Sequence, residues 1–113
     1  MNIQIYGKTK CFDTKKAERY FKERRVKFQR VDIVRYGLSP GEYAAIKRAV
    51  GGMDALIDTA CKEYTALFIA HLASPAAVEE KLLENPGLFC TPLVRNGKQA
   101  TVGYCPEVWA AWQ

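Results

Sequence analysis

Two short segments near the N-terminus alternate hydrophobic with polar residues, and a helical pattern separates them. Residues 2–6 and 27–33 alternate with a period of two, which is typical of strands that bury one face. From Thr14 onward, charged residues surround apolar positions at helical spacing, namely Ala17, Tyr20 and Phe21. Asp13 or Thr14 is suited to cap this helix. The first third of the chain is therefore predicted to form a β-α-β unit.

A series of helix signals fills the middle of the chain. A cap serine, a first-turn proline and a capping-box glutamate predict a helix that begins at Ser39 and ends at a pair of glycines. A second helix is predicted to begin near Cys61 and to carry on one stripe Tyr64, Leu67, Phe68, His71 and Leu72. A third follows the serine-proline pair at Ser74 and ends at about Glu84. Together they predict a helical insert at about residues 38–86.

The C-terminal third carries a hairpin signal followed by a short helix. Residues 93–102 contain two apolar segments around Asn96-Gly97, a pair that favours a two-residue turn with positive φ at both positions. Cys105 then precedes a proline that starts a helix carrying Val108, Trp109 and Trp112. The element order is β-α-β, helical insert, β-β, α. We therefore predict a single α/β domain over residues 1–113 with a mixed sheet.

The composition indicates a soluble protein with a core of its own. The chain has 113 residues, of which 49% are hydrophobic and 26% charged, so it is not compositionally disordered. Its longest weakly polar stretch, residues 66–73, is interrupted by His71 and is shorter than the roughly 20 residues that span a membrane. The N-terminus has no signal-peptide pattern. We expect a cytoplasmic, monomeric protein that does not bind membranes.

Positive charge is concentrated in the first third of the chain. The net charge is +5, but residues 1–35 carry +7 and residues 36–113 carry −2. Such a basic lobe attracts phosphate backbones, acidic protein surfaces or an anionic thiol cofactor. Its mixed signs are equally typical of a solvated helix face, as in Lys15, Lys16, Glu18, Arg19, Lys22, Glu23 and Arg24. Direct binding of nucleic acid is not expected.

Four cysteines are the candidates for chemistry, at positions 11, 61, 90 and 105. They form no Cys-X-X-Cys pair and no clustered Cys/His spacing, so no metal site is predicted. Without a secretory signal, their even number does not imply a disulfide framework. Cys61 is interpreted as structural or exposed. Cys105 precedes a helix, which gives it some thiolate character, although packing near Trp109 is the preferred interpretation.

Cys11 follows the first strand and lies where the first helix begins. This is the reactive position of a thioredoxin-like arrangement. A thiolate there faces unpaired backbone N–H groups and the positive end of the helix dipole. Nearby positive charge also favours the thiolate and comes from Lys8, Lys10, Lys15 and Lys16. The alternative is that Cys11 is a small buried residue without a chemical role.

A family resemblance extends over almost the whole chain. Residues 6–17 read YGKTKCFDTKKA, and this string resembles the N-terminal signature of the glutaredoxin-like arsenate reductase family, which includes the Spx regulators. Residues 56–59, 92–94 and 102–109 resemble the family's later motifs in order and spacing. The resemblance implies a thioredoxin-like, glutaredoxin-like fold with Cys11 as the nucleophile. It places the chain in a branch of the family distinct from true arsenate reductases.

Three positions separate the chain from arsenate reductases of this type. Those enzymes hold the oxyanion with arginines where this chain has Thr91, Asp58 and about Tyr104, and Asp58 would repel arsenate. Spx-type regulators commonly carry a Cys-X-X-Cys switch, whose second position is Thr14 here. The basic lobe nevertheless keeps one alternative to an enzyme open: a regulator or adaptor that binds RNA polymerase or another protein.

The resemblance also implies how the thiol chemistry would be organised. Thr91-Pro92 resembles the residue-plus-cis-proline element that lies beside the reactive cysteine and presents backbone to a thiol substrate. The thiol two residues before this proline, Cys90, is then a possible resolving thiol. We expect a thiol-disulfide oxidoreductase without a tightly bound cofactor, whose co-substrate is glutathione or a protein disulfide. Its Cys11 thiolate would accept a hydrogen bond from Thr14, and the anionic tripeptide would contact Lys8, Lys10 and Lys15.

Overall fold

A mixed β-sheet lies at the centre of the structure, a computed structural model that describes residues 1–112. Its strands are β1 Ile3–Gly7, β2 Phe28–Asp32, β3 Leu93–Asn96 and β4 Gln99–Val102, in the order β2-β1-β3-β4. β1 pairs in parallel with β2 and antiparallel with β3, which pairs antiparallel with β4. The predicted mixed sheet and element order are confirmed.

Helices cover both faces of this sheet. Their bounds are α1 Phe12–Glu23, α2 Ile33–Tyr36, α3 Pro40–Val50, α4 Lys62–Ala66, α5 Pro75–Glu84 and α6 Pro106–Trp109. Short 3-10 turns occur at Met53–Leu56, Ile69–His71 and Pro86–Leu88. All of the elements from α2 to the last of these turns lie between β2 and β3. Over residues 1–112, no helix combines the length and the apolar character needed to cross a membrane.

The predicted N-terminal cap is present at α3 but not at α1. At α3 the full capping box is present: the Ser39 hydroxyl accepts from the Glu42 N–H, and the Glu42 side chain accepts from the Ser39 N–H. At α1 the predicted cap is wrong, because Cys11 is itself the N-cap and makes no side-chain cap hydrogen bond. Thr14 lies one turn further on and is buried against β1, so it cannot serve as the cap.

The predicted continuous stripe after Cys61 is also wrong. α4 ends at Ala66, and Phe68 adopts a left-handed conformation with φ of 55°. Because the chain turns there, Ile69 enters the core while Phe68 is 67% exposed and His71 is exposed. A further helix that periodicity did not predict, α2, begins where the Asp32 carboxylate accepts from two backbone N–H groups.

The hairpin is confirmed, but its turn is shifted by one residue. Asn96 pairs with Gln99, so the central turn residues are Gly97 and Lys98. Only Gly97 has positive φ, at 62°, which fits a type II′ turn rather than type I′. Asn96 therefore belongs to β3.

Two hydrophobic clusters lie on opposite faces of the sheet. On the face of the helical insert, Tyr6 and Leu93 pack with residues such as Ile46, Leu82 and Phe89. On the other face, Ile3, Ile5 and Val94 pack with α1 and α6 through Ala17, Tyr20, Phe21, Trp109 and Trp112. β1 is buried on both faces because it lies between β2 and β3. The loop that follows it carries Cys11.

Candidate active site

Cys11 is fixed by backbone contacts at the junction of β1 and α1. Its N–H donates to the Lys8 carbonyl at 3.1 Å, and its carbonyl accepts from the Lys15 N–H at 3.3 Å. Its side chain extends from the N-cap of a 12-residue helix, where unpaired N–H groups face outward. The thiol is half-buried rather than enclosed, so a substrate can reach it.

Gly7 allows α1 to begin this close to the sheet. A Cβ at Gly7 would lie 2.3 Å from Cγ2 of Thr14 and 2.6 Å from its hydroxyl oxygen. Such distances are not tolerated, so any larger residue would displace the first turn of the helix. The strand that ends in glycine therefore helps to position the Thr14 hydroxyl relative to Cys11.

The segment before β3 forms the opposite wall of the site. The Thr91-Pro92 peptide bond is cis, and the Cys11 thiol donates to the Thr91 carbonyl at 3.5 Å. The Pro92 carbonyl accepts from the Gly103 N–H at 2.8 Å. The contact between Cys11 and Thr91 joins residues that are 80 positions apart in the chain.

The surroundings of Cys11 lower the pKa of its thiol below the ordinary value of 9.0. Burial raises the pKa, but hydrogen bonds to the thiolate from the hydroxyls of Thr14 and Thr91 and from the N–H groups of Thr14 and Asp13 outweigh it. The Thr14 hydroxyl is buried and has no hydrogen-bond partner among residues 1–112. It is therefore available to the thiolate.

We predict that Thr14→Val moves the reactivity of Cys11 to higher pH. Removing the hydroxyl withdraws a hydrogen bond from the thiolate, so the pKa rises and the rate at pH 7 falls about three- to tenfold. At high pH the alkylation rates of the two proteins should converge, because Cys11 is then a thiolate in both. The measurement is the pH profile of alkylation by iodoacetamide. Thr14→Ser retains the hydroxyl and should keep the wild-type profile; equal profiles for the valine variant would contradict the assignment.

A cleft of about 420 Å³ opens beside the thiol, lined by Lys8, Lys10, Cys11, Asp58, Cys90 and Thr91. The structure thus brings together five of the eight residues proposed from the sequence. Of the other three, Thr14 and Pro92 are buried and do not line the cleft. Lys15 is directed elsewhere, with its Nζ 5.9 Å from the centre of the Phe12 ring.

Asp58 is the residue of this cleft that no sequence pattern indicated as a site residue. Its Oδ2 lies 4.0 Å from Nζ of Lys8, which also donates to the Gly87 carbonyl at 2.8 Å. Lys8 is therefore largely committed to internal partners, and Lys10 is the exposed cation of the cleft. No sequence signal pairs Lys8 with Asp58, because the contact depends on how the insert folds back onto β1.

The other three cysteines have pKa values that are shifted in the opposite direction. Burial raises the pKa of Cys90, with Asp58 adding to the effect and Lys8 opposing it. Burial also raises the pKa of Cys61, despite a hydrogen bond from the Tyr64 N–H. All four thiols are free. Over residues 1–112, no group of three His, Cys, Asp or Glu side chains is placed to hold a metal ion.

Cys105 does not have the thiolate character that its helix position suggested. Burial and the charge of Glu107 raise its pKa, and its thiol donates to the Val102 carbonyl at 3.3 Å. Its helix, α6, has only four residues, so little dipole acts on the sulfur. Cys11 is thus the cysteine whose surroundings favour the thiolate.

Comparisons with known proteins agree on family and fold. Residues 6–112 match the model of the ArsC family. The chain is 31% identical over 106 residues to the global transcriptional regulator Spx 2 of Oceanobacillus iheyensis, covering 92% of this chain and 78% of that protein.

Two solved structures are similar over nearly the whole chain. An ArsC-family-related protein from Bacteroides fragilis superposes with a TM-score of 0.84 at 21% identity, covering 97% of this chain and 96% of that one. An arsenate reductase from Vibrio cholerae gives 0.83 at 22% identity, covering 96% and 94%. At these identities the likeness shows the fold, which is thioredoxin-like.

Proposed function

This chain belongs to the ArsC family, and we propose that it is a thiol-disulfide oxidoreductase whose nucleophile is the Cys11 thiolate. The observation that carries the proposal is the contrast among the four thiols: the pKa of Cys11 is lowered, whereas those of Cys61, Cys90 and Cys105 are raised. A lowered pKa provides both the attacking thiolate and a good leaving group.

The reaction proceeds in two exchanges. The Cys11 thiolate attacks one sulfur of a disulfide, the Cys11–substrate bond forms, and the other half leaves as a thiolate. A second thiol then attacks the sulfur that is bonded to Cys11, Cys11 departs as the stabilised thiolate, and the half that was bound to Cys11 is released as a disulfide with the attacking thiol. Glutathione is the proposed donor of this second thiol, and Lys10 is the cleft cation best placed to meet its carboxylates.

Cys90 is the proposed alternative to glutathione in the second step. It lines the same cleft as Cys11, and its N–H is anchored to the Leu56 carbonyl at 2.8 Å. Its raised pKa keeps it protonated, so it would lose its proton only as it attacks the Cys11 mixed disulfide. That attack would produce a Cys11–Cys90 bond and a free substrate thiol.

Arsenate reduction is less well supported by the cleft. Thr91 and Asp58 line it where arginine donors would be needed, and a carboxylate in the cleft opposes an oxyanion. Lys8 cannot compensate because it is paired with Asp58.

Peptide mass spectrometry after brief treatment with glutathione disulfide tests the proposal. We expect modification at Cys11, as a glutathione adduct if glutathione resolves the intermediate, or as a Cys11–Cys90 bond if Cys90 does. Little modification is expected at Cys61 or Cys105, whose thiols are protonated. Folded protein in which Cys11 stays unmodified would contradict the reactive thiol.

A regulatory function is the second candidate, favoured by the 31% identity to a global transcriptional regulator. In that case the chain would bind RNA polymerase or another protein through its basic N-terminal lobe, without catalysis. Capture from lysate by wild type and Cys11→Ser at two ionic strengths separates the candidates. A regulator gives a complex that survives the substitution and weakens with salt, whereas an enzyme gives a complex that depends on Cys11.

A further inference from the structure

A second groove lies between α1 and the segment that follows β4. It has a volume of about 440 Å³, and its walls include Lys16, Arg19, Arg24 and Tyr104. Tyr104 follows Gly103, whose N–H is bonded to the Pro92 carbonyl. One wall of the groove is therefore joined through the backbone to the Pro92 wall of the reactive site, and the groove follows α1 from Lys16 to Arg24.

The charge of this groove is mainly positive. Three exposed cations, Lys16, Arg19 and Arg24, face one carboxylate, Glu23. Lys16 has a carboxylate partner, Asp13, at 3.9 Å, but the side chains of Lys16 and Asp13 are 57% and 50% exposed. Such a pair contributes little, so it leaves Lys16 free to meet a ligand.

Aromatic rings hold two of these cations in position. The Arg24 guanidinium lies 3.8 Å from the centre of the Tyr20 ring and donates to the Tyr20 carbonyl at 3.3 Å. Nζ of Lys16 lies 5.7 Å from the centre of the Tyr104 ring. A guanidinium that is stacked in this way still presents donors to a carboxylate and loses little side-chain entropy when it binds one.

The distance from the thiol to the far end of the groove indicates the size of the ligand. From Cys11 to Arg24 the helix rises about 20 Å, at 1.5 Å per residue. An extended tripeptide such as glutathione spans about 10 Å, whereas about six extended residues span the whole distance. Phe12 follows Cys11 in the chain and is 77% exposed, so it offers an apolar surface to a ligand.

We propose that the disulfide attacked by Cys11 belongs to an acidic polypeptide, whose segment next to the reactive cysteine lies along this groove. The inference rests on the proposed function, and it names the substrate class. In the first exchange a Cys11–peptide bond forms, and the peptide's former disulfide partner leaves as a thiolate. Carboxylates on the peptide then meet Lys16, Arg19 and Arg24.

Peptides of matched length provide the test. Each carries one cysteine as a 2-thiopyridyl disulfide, flanked by aspartate and glutamate, by their amides, or by lysine. The rate of thiopyridone release is divided by the rate with the same activated disulfide of 2-mercaptoethanol, which removes any change in the pKa of Cys11. We expect wild type to prefer the acidic peptide to the amide peptide by about tenfold at low salt, and less as salt increases.

Two double variants distinguish an effect of the groove residues from an effect of the protein's net charge. Lys16→Glu with Arg19→Glu should abolish the preference. Arg48→Glu with Lys98→Glu, at exposed positions outside the groove, changes the net charge equally and should retain it. Equal rates for the acidic and amide peptides, or the same loss in both double variants, would overturn the proposal. If a single-stranded oligonucleotide competes with the acidic peptide at the groove, the ligand of the groove would be nucleic acid rather than an acidic polypeptide.

A non-reactive peptide distinguishes a failure of the proposed function from a failure of the groove proposal. The acidic peptide with serine in place of cysteine cannot react, and its binding is followed by fluorescence anisotropy. If this peptide binds and the Lys16/Arg19 variant loses it, the groove is supported even when Cys11 reacts with no disulfide. If Cys11 reacts but the peptide series shows no charge preference, the oxidoreductase stands and the groove does not.

Discussion

Cys11→Ser should reduce disulfide exchange to the uncatalysed background. The serine hydroxyl is not ionised near neutral pH and cannot form a disulfide, so no mixed disulfide with the substrate can form. The fold should be unaffected, since the half-buried thiol makes one long hydrogen bond, 3.5 Å to the Thr91 carbonyl. The measurement is the rate of reduction of a glutathione mixed disulfide, with circular dichroism as the check on folding.

Cys105→Ser is the matched control for this loss. Its thiol is also half-buried and makes one hydrogen bond, but its pKa is raised and it lies outside the cleft. We expect it to retain the wild-type rate. If folded Cys11→Ser protein kept a substantial part of the activity, another group would have to be the nucleophile.

Trp109→Ala should destabilise the protein by about 3–5 kcal/mol, which is the usual range when a buried tryptophan is truncated. The ring is 2% exposed and contacts those of Tyr20, Phe21 and Tyr104 at centroid distances of 5.1–5.6 Å. Its Nε1 donates to the Thr101 hydroxyl at 2.7 Å in a buried setting, so the truncation also leaves that hydroxyl without its donor.

Urea unfolding measures this loss, and Val108→Ala in the same helix is its control. Val108 is 41% exposed, so its truncation should cost less than about 1 kcal/mol. A Trp109→Ala protein within about 1 kcal/mol of wild type would show that α6 does not stabilise the sheet. A small domain is stable by roughly 5–15 kcal/mol, so the expected loss is a large part of the total.

Local sequence signals were sufficient where an element depends on its own residues. The β1-loop-α1 unit follows from alternation, a glycine and helical spacing within residues 2–23. The capping box at Ser39 is equally local and occurs in the structure as expected. Local sequence signals failed at Phe68, where the apolar period continues but the backbone adopts a left-handed conformation. There the packing of Ile69 into the core decides the path of the chain.

The sequence by itself determined the β-α-β order of elements in the first third of the chain, the position of Cys11 at a helix start and the excess of positive charge in that segment. The tertiary structure alone decided what surrounds the thiol: the Thr91 carbonyl, the Lys8–Asp58 pair and the alignment of Lys16 with Tyr104. The reason is physical. Helix and strand periods depend on neighbouring residues, whereas a pKa and a binding groove depend on distances between atoms of residues far apart in the chain.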